Sequence, residues 1–469
     1  LKSPTRISDL VTTAKERGYK ALALTDENVL YGAVEFYNAA KKAGIKPIFG
    51  LRLVVALNET DGTKLDLVFL AKNQRGYQHL MDLSTLQQTR KDKKAPLTVA
   101  QISPLLNELF IIIPPQSTVF SVLAQPTSIL TELANLGDDD SVLLGVNSRL
   151  DDVQIDTLQQ LSKQLSLPLV GTSPVDYLNA NDLFASRVLQ AIDAGVELKD
   201  PTIEAERRGQ HYLHSKEQVI QDYKAKGLSA AAQKTVEVAT LCNVELQFRA
   251  PVLPHFKNQA GISSQQYLRS LCIQGLKKRR VAPGKTIQQY QERLAMELKI
   301  IHEMGFDDYF LIVWDVINFA HQQKITTDPG RGSAAGSLVA YALAITEVDP
   351  LQYDLLFERF LNPERAQMPD IDLDIPDNRR DEVLQYVHQK YGHQRVAQII
   401  TFGTLAAKQV VRDVSRVFNL PRYDMQRLID ALPHGLHVTL KDALNESQQL
   451  KNLLDDNPKF RLLIQVAQH

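Results

Sequence analysis

The sequence is poor in cysteine, nearly neutral, and almost free of histidine in its first half. Its 469 residues hold two cysteines, Cys242 and Cys272, in no CxxC arrangement. That argues against a zinc site and a disulfide scaffold, and fits a reducing cytoplasm. The net charge of −1 excludes a polycation, so any nucleic-acid surface must be a local patch. His79 is the only histidine before residue 200, too few for an imidazole-rich metal centre there. No apolar run approaches the length of a membrane span. No GK[ST] tripeptide occurs, which excludes a Walker phosphate loop. What is present, 44% hydrophobic and 23% charged residues, is the composition of two to four ordinary globular domains.

The first 200 residues alternate strand-period and helix-period segments. Strands are expected at Lys20–Thr25, Lys46–Ala56, Leu65–Ala71, Leu109–Ile113, Ser141–Val146 and Pro168–Thr172. Repeated βα units imply a mostly parallel sheet, and about six of them suggest a barrel. In such barrels, chemistry sits at the C-terminal ends of the strands. Here those ends carry Asp26, Glu27, Arg52 and Asp176, enough for one ion at most and opposed by the arginine. A structural barrel with polar loop ends is the favoured reading. Residues 249–254, Arg-Ala-Pro-Val-Leu-Pro, have the two prolines of a linker.

The second half is organised around Met368-Pro369-Asp370-Ile371-Asp372-Leu373-Asp374-Ile375. In an extended strand successive side chains alternate between faces, so Asp370, Asp372 and Asp374 share one and the aliphatic residues the other. Gathered carboxylates repel, and a divalent cation relieves them. Mg²⁺ characteristically takes one or two carboxylates and leaves its other positions to water and phosphate. The same pattern also suits a solvated edge strand. Upstream, Pro329-Gly330-Arg331-Gly332-Ser333 opens onto a small-residue helix, with Ser333 a suitable N-cap and the first-turn N–H groups free for phosphate. A phosphate cradle beside paired carboxylates is the equipment of metal-assisted phosphoryl or nucleotidyl transfer.

Arginines converge on the same region. A helix over Gln352–Phe360 is expected to deliver Arg359, and Arg365 follows it. A strand is expected at Val396–Phe402. The helix after it places Lys408, Arg412 and Arg416 at i, i+4 and i+8, a stripe that is either a solvated face or a rail along a phosphate backbone. Two other motifs compete weakly. Gly330-x-Gly332-x-x-Ala335 with Asp349 formally matches a dinucleotide fingerprint, but lacks a clear βαβ context. Asp370-x-Asp372-x-Asp374 starts like a calcium loop, but Ile375 stands where glycine is needed.

Four segments, in order, carry a resemblance: 329–337 (PGRGSAAGS), 357–365 (FERFLNPER), 368–372 (MPDID) and 400–404 (ITFGT). They strongly resemble the bacterial replicative DNA polymerase III alpha family, polymerase family C. The first half, clearest over residues 39–50, looks like that family's polymerase-and-histidinol-phosphatase (PHP) domain. The resemblance implies an α/β multidomain chain: a distorted PHP-type α/β barrel over residues 1–248, a polymerase-beta-like α+β nucleotidyltransferase palm over 249–401, and a helical thumb over 402–469. It implies catalysis and metal binding by Asp370 and Asp372, and triphosphate contacts from Arg331, Gly332, Ser333, Arg359 and Arg365. Lys408, Arg412 and Arg416 would lie along DNA. Two Mg²⁺ ions, primer–template DNA, deoxynucleoside triphosphates, a sliding clamp, a clamp loader and a proofreading exonuclease are the implied cofactors and partners.

Two departures from the family pattern shape these expectations. In the PHP metal site Glu27 and Asp176 stand at histidine positions and Arg52 at the glutamate, and the family's N-terminal histidine pair would precede Leu1. Hydrolysis by this domain is therefore not expected. The family's third catalytic aspartate has no match before His469, so the chain is expected to be an N-terminal fragment, inactive alone. The alternative function is a non-catalytic PHP scaffold that docks a replisome or proofreading partner.

Overall fold

The computed structural model describes residues 3–58, 64–93, 95–117, 130–131, 133–134, 140–248, 254–258, 260–365, 368–393, 395–403, 405–433, 435 and 438–468. Residues 249–253 of the expected 249–254 linker, and Thr404, lie outside them. The chain divides into two compact units, Leu1–Gln247 with Gly403–His469, and Phe248–Phe402.

The first unit is built on a seven-stranded mixed sheet. Its strands are β1 (Ala21–Leu24), β2 (Lys46–Ala56), β3 (Lys64–Ala71), β4 (Leu97–Thr98), β5 (Leu109–Ile113), β6 (Val142–Val146) and β7 (Leu169–Gly171). The order is β1-β2-β3-β5-β6-β7, with β4 beside β2. The β1/β2, β5/β6 and β6/β7 pairs are parallel, as the βα pattern requires. β3 departs from it, running antiparallel to both β2 and β5. The reason lies in the connection: seven residues, 57–63, separate β2 from β3, too few for the crossover that parallel strands need. No ladder joins β1 to β7 among the described residues, so the expected barrel is a half-barrel.

Both faces of this sheet are covered. Phe49, Leu51, Leu53 and Val55 of β2 enter one core with Phe36 and Ala40 of the Ala33–Ala43 helix. Ile48 of β2, Phe110 and Ile112 of β5 and Leu143 of β6 enter the other, against Val238 and Cys242. Each such fully buried side chain contributes roughly 1.5–3 kcal/mol. The Gln74–Gln88 helix approaches very closely at Gly76, where a Cβ would lie 2.2 Å from the Glu108 carbonyl oxygen.

The same unit includes the C-terminal helices. Val411, Val414 and Phe418 pack with Phe184, Ala185 and Val188 of the Leu183–Ala194 helix and with Leu450, Phe460 and Leu463. The Leu198 N–H donates to the Val417 carbonyl at 2.9 Å, fixing this association.

The second unit is helical. Its main helices are Ser264–Leu276, Ile287–Glu303, Asp307–Gln322 and Arg380–Tyr391, with a short helix at Leu338–Ala342. Its core holds Leu268, Tyr290, Phe310, Leu338, Val339 and Phe357. No strand occurs among its described residues, so neither the expected acidic strand nor the Val396–Phe402 strand forms a ladder. Both lie outside any regular element, and Ile399 and Phe402 are exposed.

Candidate functional site

The acidic segment keeps the expected alternation without a sheet to enforce it. Asp370, Asp372 and Asp374 are exposed, while Ile371 and Leu373 pack on the core of the second unit. Ile375 packs near Ala320 and Val383. Two contacts replace the missing ladder. The Ile371 N–H donates to the Tyr309 hydroxyl at 3.1 Å, and the Asp328 N–H donates to the Asp374 carbonyl at 3.3 Å. The Tyr309 phenol is pushed above its ordinary range, chiefly by burial and further by the charges of Asp370 and Asp372. Tyr309 was not foreseen as a site residue.

The glycine-rich loop meets this segment through Arg331. Its Nη1 donates to Asp372 Oδ2 at 2.8 Å, and its Nε donates to Asp374 Oδ2 at 2.6 Å. The Asp374 hydrogen bond, with the nearby charges, raises the guanidinium pKa further. Gly330 (φ +111°) and Gly332 (φ +67°) occupy left-handed backbone on either side of Arg331, which favours glycine. The turn is held by the Gly330 N–H on Asp328 Oδ1 at 2.8 Å and the Glu347 N–H on the Pro329 carbonyl at 2.7 Å. A Cβ on Gly332 would sit 3.6 Å from Asp372 Oδ2, so loop and carboxylate are adjacent.

The helix after the loop corrects one expectation. Gly332–Gly336 forms a 3₁₀ turn, and the α-helix begins at Leu338 with Ser337, not Ser333, as its N-cap. Its first N–H groups are not free for phosphate. The fully buried Glu297 carboxylate accepts from Leu338 N–H at 2.9 Å, Val339 N–H at 3.0 Å and Ser337 Oγ at 3.0 Å. Arg293 Nε donates to Glu297 at 2.6 Å, and Arg293 Nη2 donates to the Gly336 and Leu355 carbonyls. An internal anion thus neutralises the helix terminus, while Arg331, Gly332 and Ser333 are exposed. The one sequence signal for this was the i, i+4 Arg293–Glu297 pair.

Other expected residues are placed differently. Gln352–Phe360 is not a helix; only Phe357–Arg359 forms a 3₁₀ turn. Arg359 is exposed there, with no ion pair among the described residues, and is not drawn to the carboxylates. Arg365 lies in a 3₁₀ turn and its side chain is outside the described part. Asp349 is buried and accepts from the Tyr290 hydroxyl and the Leu351 N–H, so it cannot serve a ribose. In the first unit, Arg412 and Arg416 project from the exposed face of the Ala407–Val417 helix and Lys408 is half-buried on it; Arg416 pairs with Asp413 at 2.5 Å.

At the strand ends of the first unit, Glu27 and Arg52 form a backbone bridge. Arg52 lies within β2, not at its end, and grips Asp66 by two bonds, Nε to Oδ1 at 2.8 Å and Nη2 to Oδ2 at 2.5 Å. The Asp66 hydrogen bond raises the guanidinium pKa against the opposing effect of burial, with Glu27 and Asp176 adding to it. Burial raises the Asp26 carboxyl. Asp176 pairs with His211 Nδ1 at 2.8 Å. Asp66 and His211 were missed; Asp66 faces Arg52 diagonally across the β2/β3 ladder, a relation visible only once the antiparallel register is known.

The Mg²⁺ implied by the resemblance fits the acidic segment. Asp370 and Asp372 offer the hard oxygen donors it prefers, and a cation, the Arg331 guanidinium, already stands against Asp372. Among the described residues no group of three or more His, Cys, Asp or Glu side chains is gathered, so protein ligands alone would not complete the shell.

Two family models match the chain: the PHP domain over residues 1–114 and the bacterial DNA polymerase III alpha NTPase domain over residues 266–469. A PHP domain with a curled α/β sheet, joined to a domain of the nucleotidyltransferase kind, defines the class. Relatives place it further. A DNA polymerase III subunit alpha from Halalkalibacterium halodurans is 40% identical over the whole chain, and one from Bacillus subtilis 39%. One from Borreliella burgdorferi is 36% identical, again over the whole chain. The chain belongs to the family of bacterial DNA polymerase III alpha subunits, and it spans 42% of the length of each of these relatives.

Proposed function

We propose that this chain carries part of the active site of a DNA-directed DNA polymerase, which adds deoxynucleotides to a primer 3′-hydroxyl on a template. The observation that supports this reading most is the Arg331–Asp372 bond at 2.8 Å, because it places the glycine-rich loop beside the acidic segment. Asp370 and Asp372 hold the divalent cation. Arg331 and the backbone at Gly332 and Ser333 receive the triphosphate, joined by Arg359 and Arg365. A guanidinium suits this task because its planar fork matches phosphate oxygens. Mg²⁺ bound there supplies a lowered hydroxyl pKa and charge compensation on the phosphates. Tyr309 and Glu297 hold the two backbone segments in register. Residues 1–248, 249–401 and 402–469 serve as PHP-like, palm and thumb segments, with Lys408, Arg412 and Arg416 following the DNA backbone.

A third carboxylate from outside these 469 residues completes the metal pair, so the chain alone does not extend primers; detectable metal-dependent extension by it would refute that. The direct test is primer extension by a protein of the relatives' full length carrying these residues, wild type beside Asp372→Asn. The variant is expected to be at least about a hundredfold slower, a loss of roughly 2.7 kcal/mol in transition-state stabilisation. Equal rates would place the chemistry elsewhere.

The Arg52–Asp66 ion pair supports a second role for the first unit. With an arginine at a ligand position, the PHP-like unit acts as a non-catalytic scaffold for replisome proteins: the sliding clamp, the clamp loader or a proofreading exonuclease. Its operation in the cytoplasm accords with the two unpaired cysteines and with the absence, among the described residues, of any helix long and apolar enough to cross a membrane. Partner binding that persists in a chelator is the expected result; loss of binding on chelation would count against the scaffold.

A further inference from the structure

Arg331 has two claims on it. As a phosphate contact it must be free to meet an anion. In the structure it is bound to Asp372 by one bond, at 2.8 Å, and to Asp374 by two, at 2.6 and 3.4 Å. The grip on Asp374 is a side-on fork; the hold on Asp372 is a single bond from the remaining nitrogen. Asp370 has no ion pair among the described residues. The three carboxylates are therefore not equivalent: one open, one shared, one committed to the arginine.

We propose that Arg331 is the resident counter-cation of the acidic segment, and that Asp374 is a positioning residue that keeps it beside the phosphate site when a divalent cation takes Asp372. The inference rests on the assignment of Asp370 and Asp372 as metal ligands. A guanidinium and a divalent cation cannot share Asp372 Oδ2, since like charges a few ångströms apart repel strongly. The Asp372 bond is the one to yield. Both pairs are exposed and each is weak by itself, but Asp372 is held by one bond and Asp374 by two. The fork on Asp374 survives that exchange, so the arginine swings about a fixed point instead of leaving. Glycines at positive φ on both sides of Arg331 permit the loop to follow. Once released from Asp372, the guanidinium's free edge is available to triphosphate oxygens.

This arrangement couples the two ligands. Cation binding frees the arginine for triphosphate; triphosphate, by holding the arginine, clears Asp372 for the cation. By linkage each ligand raises the affinity of the other by the same factor. Removing Arg331 breaks the coupling from both sides. The cation then binds more tightly by itself, and triphosphate no longer helps it as much. Removing Asp374 leaves the competition at Asp372 but loses the anchor, so triphosphate binds less well while the cation alone does not bind more tightly.

The test is Mn²⁺ binding to this chain, followed by the electron paramagnetic resonance signal of the free ion, with and without a non-hydrolysable deoxynucleoside triphosphate. Variants are Arg331→Gln, Arg331→Lys, Asp374→Asn and Asp372→Asn. Arg331→Gln is expected to bind Mn²⁺ about fivefold more tightly than wild type without nucleotide. The enhancement by nucleotide should shrink, and Arg331→Lys, which keeps the charge, should restore most of the competition. If Asp372→Asn weakens Mn²⁺ binding but Arg331→Gln binds no more tightly than wild type, the counter-cation role is wrong and the metal assignment stands. If Asp372→Asn leaves Mn²⁺ binding unchanged, the metal assignment itself fails.

Discussion

The Ile371 backbone N–H donates to the Tyr309 hydroxyl at 3.1 Å. That one bond pins the acidic segment at its midpoint, between the two aspartates assigned to the metal. Tyr309→Phe removes the acceptor and keeps the ring packing. A loss of about 1 kcal/mol in stability is expected from one hydrogen bond. In a protein of the relatives' full length, primer extension should fall about tenfold, since small misplacements of reacting groups are costly. Urea titration and extension rates, measured on the same variant, check both.

Glu297 anchors the other half of the site. Glu297→Gln keeps the shape but leaves the half-buried Arg293 without its counter-charge. Breaking a buried ion pair costs on the order of 3 kcal/mol. The loss should be larger than for Tyr309→Phe, and should appear as a lowered urea midpoint with faster amide exchange at Leu338 and Val339. A midpoint unchanged from wild type would show that Glu297 is not ionised there.

His214 supplies a pH dependence. Burial lowers its pKa, helped by Arg149 and Arg17 and opposed by Asp222, whose Oδ2 lies 3.9 Å from Nδ1. The folded ring resists the proton that the unfolded ring accepts near 6.5. Unfolded chains therefore bind more protons as pH drops, and stability falls with pH below about 6.5 toward the folded value. His214→Gln should lose less stability than wild type between about pH 7.5 and 5, read from denaturant midpoints at each pH.

Arg412 is exposed on the Ala407–Val417 helix and has no ion pair among the described residues. If it meets a DNA phosphate, Arg412→Ala should reduce the slope of log affinity against log salt by about 0.9. Arg416, held by Asp413, should change the slope less. Fluorescence anisotropy with a primer–template duplex at several salt concentrations measures this.

Local pattern predicted local structure well. β5 was expected and found at Leu109–Ile113, and β1 and β7 differ by one residue at each end. The exposure of Asp370, Asp372 and Asp374 also followed from period alone. Non-local choices did not. Alternation says which side chains share a face, but not whether a ladder partner exists, so the acidic segment was read as a strand. The helix start moved from Ser333 to Ser337 because a carboxylate some 40 residues upstream, Glu297, takes its N–H groups. Antiparallel β3 follows from a short connection that strand periodicity does not register. Arg331 was foreseen as a phosphate contact; its bonds to Asp372 and Asp374 depend on a turn whose geometry two glycines set.

The most direct measurement compares Asp370→Asn with Asp374→Asn in primer extension with Mg²⁺, using a protein of the relatives' full length. Both residues are exposed acids on one face of the same segment, two steps from Asp372 on either side. Asp370→Asn is expected to lose at least about a hundredfold in rate, roughly 2.7 kcal/mol. Asp374→Asn should keep most of its maximal rate and need more triphosphate to reach it. Equal, small losses in both variants would contradict the assignment of the metal to Asp370 and Asp372.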